Sequence, residues 1–353
     1  MTTTDERPET GATGRPDTLW YTRCPVPTAS GIAQNKRWLH RSFEQLGIRL
    51  DSIIASQDRT VRESHFRHSL PGSFREGGNV PPIWTRSRGQ DTVVVAITWV
   101  DEEQLILVGP DSAVDTVADL RGRRVGLVRK EQSDLVDVGR AESLRGLLTA
   151  LRIAEVGRDE VEWVDLAAPE WDLREREQTE RPGRHLLVDA VLEGTVDAVF
   201  VKGAGIAPAL DAGLRPIANL NEQVDPLLRV SAGSPRPVTV DRATLTSAPE
   251  LVDRYLAVLL KTAAWAREHP ADVVETIAAE TGTDPGTVRR AFGPQLHRSF
   301  EPQLSQTYVA GLRSQKDFLL AEGFISADVD VDGWIDRGPL VRAQALAADL
   351  RLP

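Results

Sequence analysis

A single cysteine, Cys24, lies in Tyr21-Thr22-Arg23-Cys24-Pro25-Val26-Pro27-Thr28. Downstream come His65-Phe66 and the run Arg75-Glu76-Gly77-Gly78-Asn79. A thiol, an imidazole and a guanidinium beside a glycine pair are parts from which anion chemistry can be built. The thiol can act as nucleophile or as acid, and the imidazole can tune it or return its proton. Arg offers a planar fork to two oxygens on one centre, and glycine lets backbone N–H groups approach a ligand closely. Each group also has an ordinary reading. Free cysteines are usually small buried residues, a loop histidine is usually a surface residue, and Gly-Gly-Asn is turn-prone by itself. On position alone, Cys24 reads as a buried structural thiol.

The elements around these residues decide whether they can meet. Residues 17–23 predict a strand. The apolar positions Ile32, Trp38, Leu39, Phe43 and Leu46 predict an amphipathic helix, which Gly47 ends, and residues 48–54 predict a second strand. This βαβ unit places Cys24 at a strand end, just ahead of a helix whose N-terminal N–H groups favour a thiolate or a bound anion. Pro25 and Pro27 stiffen the turn. His65 and His68 are expected in a loop bordering a cleft, with His68 on the surface, and Arg75 to Asn79 in a turn. Further strands are expected at 92–99, 104–108, 161–166, 194–201 and 238–240, a short helical turn followed by a strand over 119–128, and helices at 139–155 and 185–193. A charged segment spans 171–184, and the chain is mostly helical from Pro249 onward. Alternating strands and helices followed by a helical run indicate an α/β fold with mostly parallel sheets.

The 353 residues suffice for two domains. A net charge of −10 argues against a nucleic-acid groove. One cysteine excludes an intramolecular disulfide and a Cys-cluster metal site, and no metal is expected at His65 and His68, which have no carboxylate at a characteristic spacing and no evident third ligand. No P-loop, G-x-G-x-x-G after a strand, G-x-S-x-G or H-E-x-x-H occurs. Residues 1–16 have no apolar run and are expected to be a disordered tail rather than a signal peptide. No segment approaches a membrane span. The expectation is a soluble, cytoplasmic monomer with some of its eight Trp lining a ligand pocket.

Asp119-Leu120-Arg121-Gly122-Arg123-Arg124-Val125-Gly126 and Leu192-Glu193-Gly194-Thr195-Val196-Asp197-Ala198-Val199 resemble signatures of the periplasmic-binding-protein-like (type 2) fold. The resemblance implies a discontinuous first lobe, 17–117 plus 228–353, a second lobe, 118–227, and a ligand in the cleft between them. Cys24-Pro25-Val26-Pro27, His65-Phe66, Arg75 ten residues beyond His65, Gly77-Gly78 and Pro81-Pro82 resemble the aromatic sulfinate desulfinase family. That resemblance implies hydrolytic cleavage of a C–S bond with release of sulfite, without metal or organic cofactor. It implies an essential Cys24 with His65, Arg75 and Gly78 as site partners, and Gly77 and Phe66 beside them. Whether Cys24 attacks sulfur or protonates the departing carbon stays open. The competing reading is a solute-binding protein or ligand sensor for a sulfonate, sulfinate or other small anion, a common use of this fold. The missing export signal and the cysteine at the anion end of the cleft speak against it.

Overall fold

A computed structural model describes residues 16–22, 24, 26–130, 134–168 and 184–352. Apart from Pro16, the expected tail lies outside the described residues, as does most of the charged segment, 171–183. In chain order the strands are β1 (Thr18–Thr22), β2 (Arg49–Ser52), β3 (Ser73–Glu76), β4 (Thr92–Thr98) and β5 (Gln104–Val108). They continue as β6 (Arg124–Lys130), β7 (Glu162–Ala168), β8 (Ala198–Lys202), β9 (Arg215–Asn219) and β10 (Arg236–Asp241). They form two five-stranded sheets, ordered β2-β1-β3-β10-β4 and β7-β6-β8-β5-β9.

Each sheet is parallel except for one strand. β10 runs antiparallel to β3 and β4, and β5 runs antiparallel to β8 and β9. These are the two strands that have just crossed from the other sheet. The chain leaves the first sheet after β4, enters the second at β5, and returns between β9 and β10. β5 falls within the span expected for the first lobe, yet its hydrogen bonds belong to the second sheet. Its five residues are all buried, and an unbroken apolar run does not reveal which sheet it will join.

In the first sheet the order β2-β1-β3 sends the connections after β1 and β2 in opposite directions along the sheet. Right-handed crossovers therefore place their helices on opposite faces. The first connection holds two helices, Ala29–Asn35 and Trp38–Glu44, rather than the single one expected. Arg37 breaks them apart with a left-handed φ of 60°. The second connection holds Arg59–Arg67, started by Asp58, whose carboxylate accepts the Thr60 N–H at 2.8 Å. Leu19 and Tyr21 of β1 join the main core, while Trp20 faces the other way and packs on Ile53 and Val61. Val61 lies one helical turn before His65, so this small cluster seats the helix that carries the imidazole.

Helices after β10 pack beside the first sheet. Pro249–Glu268 buries Leu251, Val252, Tyr255, Leu256, Leu259 and Ala263 at helical spacing. The closing helix, Gly338–Asp349, is tied to it by two hydrogen bonds from Arg342 to Asp253, at 2.7 and 3.0 Å. Gln303 exchanges two backbone bonds of 2.9 Å with Ile97, and Ile335 bridges to Val94, so the outer edge of β4 is covered. Among the described residues no helix is long and apolar enough to cross a membrane.

Candidate active site

β1 and β3 are parallel neighbours, so the residues just beyond their C-terminal ends emerge together where the connections diverge. In open α/β sheets that crevice is where ligands bind. Cys24 follows β1 by two residues, and Gly77 directly follows β3. A Cβ built on Gly77 would stand 2.4 Å from Cys24 Sγ and 3.8 Å from Arg75 Nη2. The sulfur and the guanidinium thus flank one small space that only glycine leaves open. Gly78 has a different reason to lack a side chain. Its Cβ would meet the Ala232 carbonyl oxygen at 2.7 Å, in the segment returning from the second sheet.

His65 is on the Arg59–Arg67 helix rather than in a loop, and its Nε2 lies 3.9 Å from Cys24 Sγ. Cys24 is 8% exposed, His65 3% and Arg75 2%, so the three meet in a site largely closed to water. Half-buried Phe66 sets its ring edge-on to His65, with centroids 4.8 Å apart. The structure therefore brings Cys24, His65, Arg75, Gly77 and Phe66 together, with Gly78 one step away against the returning segment.

Alternation along β3 separates its two adjacent charges. Arg75 faces the His65 helix, where its Nε donates to the His65 carbonyl at 3.3 Å. Glu76 faces the other side of the sheet, accepting the N–H groups of Ala29 and Ser30 at 3.3 and 2.7 Å and the Thr98 hydroxyl at 2.8 Å. The Thr28 side chain takes the Gly31 N–H at 2.9 Å. The first three donors of the Ala29–Asn35 helix are thus already occupied. The expectation that this helix end would serve Cys24 or an anion fails, because a buried carboxylate from the next strand has taken its place.

Arg75 is left without a carboxylate among the described residues, and its buried Nη1 has no hydrogen-bond partner there. Burial pulls its pKa below the ordinary guanidinium range, while the Cys24 sulfur acts in the opposite sense. A buried cation with an open donor is a place for a ligand anion.

His68 is 2% exposed rather than on the surface. It ends the helix at a left-handed φ of 47°, sets Nε2 at 3.1 Å from the Ser73 carbonyl, and places Nδ1 3.4 Å from the Thr239 hydroxyl. The carbonyl can only accept, so Nε2 carries the proton and Nδ1 accepts from Thr239. Burial lowers its pKa to about 4, and Arg75 acts in the same sense. A neutral His68 adds no second positive charge behind the guanidinium.

Sequence alone did not reveal β3 or the His65 helix, placed His68 on the surface and gave Glu76 no role of its own. Two signals were present: Asp58 ahead of the helix, and Phe74 between the turn at Pro71-Gly72 and Gly77-Gly78. Among the described residues no group of three or more His, Cys, Asp or Glu is placed to hold a metal ion.

No protein-family model matches the chain. It is 31% identical over 350 residues to the 2'-hydroxybiphenyl-2-sulfinate desulfinase of Rhodococcus erythropolis, covering 90% of this chain and 91% of that protein. A crystal structure of a cysteine-to-serine mutant of the desulfurization enzyme DszB in complex with biphenyl-2-sulfinic acid superposes with a TM-score of 0.75. It has 25% identity and covers 94% of this chain and 99% of that one. The alkanesulfonate-binding protein SsuA from Xanthomonas axonopodis pv. citri, bound to MOPS, shares the fold with a TM-score of 0.62 at 19% identity, covering 91% of this chain and 98% of that one. By the extent of its identity over nine tenths of its length, and with a periplasmic-binding-protein-like fold, the chain belongs to the 2'-hydroxybiphenyl-2-sulfinate desulfinase family.

Proposed function

We propose that the protein hydrolyses the C–S bond of an aromatic sulfinate, with water as the only co-substrate. The balance is R–SO2⁻ plus H2O giving R–H plus HSO3⁻. The observation that carries this reading is the buried, open Arg75 guanidinium facing the same small space as Cys24 Sγ. In this assignment Arg75 Nη1, with backbone N–H groups at Gly77 and Gly78, binds the sulfinate oxygens. Phe66 forms part of the wall against the organic group. Cys24 meets the reacting centre, and His65 Nε2, 3.9 Å from its sulfur, moves the proton.

Two routes satisfy the balance. In the first, the Cys24 thiolate bonds to the sulfinate sulfur while the C–S electron pair takes a proton through His65. This releases R–H and leaves a Cys24–S–SO2⁻ adduct, which water converts to thiol and HSO3⁻. In the second, the Cys24 thiol gives its proton to the ring carbon and SO2 departs. Water then hydrates SO2 to HSO3⁻, and the second proton returns to the sulfur. Mass spectrometry of quenched reactions separates them, since only the first forms an adduct on Cys24.

The deciding experiment is a panel of aryl and alkyl sulfinates assayed for sulfite, with Cys24→Ser as control. Sulfite is expected from aromatic members, and Cys24→Ser should lower the rate at least about a thousandfold. No sulfite from any member, with tight sulfinate binding that survives Cys24→Ser, would establish the solute-binding reading instead.

A further inference from the structure

A buried group of charges at the crossing between the sheets ends on the cysteine loop. Glu102, in the first crossing segment, is 3% exposed. It pairs with Lys202 Nζ, at the end of β8, at 2.8 Å, and with Arg236 Nη2, at the start of β10. Lys202 also faces Glu142 Oε2 of the Val138–Ile153 helix at 3.2 Å. Arg236 is fully buried, and its Nη1 donates to the carbonyl of Pro27, the last residue of Cys24-Pro25-Val26-Pro27. The second crossing segment closes over the group. A Cβ on Gly233 would stand 2.4 Å from Glu102 Oε1 and 2.8 Å from Lys202 Nζ.

The group therefore touches both crossing segments, the second sheet and the loop that presents the sulfur. Two carboxylates and two cations balance in charge, and a buried ion group of this kind is weak as a source of net stability. Its directional bonds fix relative position instead. Arg236 is the member that reaches the loop, and a guanidinium can hold a carbonyl and a carboxylate at once in a set geometry.

We propose that Arg236 is a positioning residue that registers the Cys24 loop against the crossing segments. The sulfur then stands at His65 and Arg75 only while the crossing segments keep the arrangement described above. The proposal rests on the reading of Cys24 as the reacting group, but its first test does not depend on catalysis. Cys24 is the only cysteine, so the rate of alkylation by iodoacetamide reports on that loop alone.

Arg236→Lys keeps the charge opposite Glu102 and loses the two-ended fork. Cys24 alkylation is expected to accelerate about tenfold, reflecting the loss of one charge-assisted hydrogen bond to Pro27. Sulfite release should fall by a similar factor in kcat, with KM within about twofold. Arg236→Met should exceed both effects. If it does not fold, Arg236→Lys decides alone. Asp253→Asn breaks the Arg342 pair on the helical side of the first lobe and serves as a control for general loosening. It should lower the melting temperature and leave the alkylation rate at the parent value. An alkylation rate in folded Arg236→Lys within twofold of the parent would overturn the proposal, as would equal acceleration in Asp253→Asn. Faster alkylation alongside absent sulfite release in the parent would uphold the positioning role and defeat the desulfinase reading.

Discussion

Gly77→Ala is the sharpest test of how the site is built. The backbone there is not left-handed, so alanine meets no conformational objection, and the whole effect comes from one methyl group. That methyl would sit 2.4 Å from Cys24 Sγ and 3.0 Å from Cys24 Cβ. Ordinary non-bonded contact needs about 3.5 Å, so the sulfur or the β3 end must move by about 1 Å. Cys24 is 8% exposed and its neighbour His65 3%, so little free space can absorb the shift. Over-packing of this kind costs about 1–3 kcal/mol of stability. The same displacement moves the sulfur relative to Arg75 and His65, and a misplacement of about 1 Å can cost on the order of a hundredfold in rate.

The assay is steady-state sulfite release from an aryl sulfinate, with unfolding monitored in parallel. Gly78→Ala provides the internal comparison. Its methyl would press on the Ala232 carbonyl at 2.7 Å, so it should cost comparable stability while reducing the rate by about tenfold or less. A folded Gly77→Ala protein that releases sulfite within threefold of the parent would refute the claim that this glycine makes room for the sulfur. Equal rate losses in the two variants would refute the division of labour between them.

Arg75→Met removes a buried cation that has no carboxylate partner among the described residues. It should abolish productive sulfinate binding while raising the unfolding free energy by about 1 kcal/mol, because an isolated buried charge is replaced by apolar packing. A clear loss of stability in urea titrations would count against the open-cation reading. His68 supplies a pH test. Its pKa is lowered to about 4 in the folded protein, against about 6.5 when unfolded. The unfolded chain therefore takes up a proton first as pH falls. Stability is full above pH about 6.5 and declines toward pH about 4, by up to about 3 kcal/mol from this group. Denaturant titrations at pH 7, 5.5 and 4 should show a shallower decline for His68→Gln, and identical pH dependence would show that His68 is not the group responsible.

Much of the architecture was legible in the sequence because it is written in local patterns. The apolar run Thr92–Thr98 and the amphipathic spacing of Pro249–Glu268 each announced their element. β3 did not, because two of its four residues are charged and its burial comes from neighbours distant in the chain. The Arg59–Arg67 helix was hidden for a related reason: five of its nine residues are Arg, Glu or His, and only Val61 anchors it apolarly.

The sequence by itself determined the chemical parts: one thiol, an imidazole at His65, a guanidinium at Arg75 and a glycine pair beside it, on an α/β chain. Composition and motif are properties of the chain alone, so they survive without coordinates. Only the tertiary structure decided what the parts do to one another. Parallel pairing of β1 with β3 set Gly77 against the Cys24 sulfur. The alternation of β3 sent Arg75 to His65 and Glu76 to the helix end that had been expected to support the thiol. The crossing between sheets brought Arg236 onto Pro27, across a separation of 209 residues. Such contacts depend on strand order and facing, and no local pattern encodes either one.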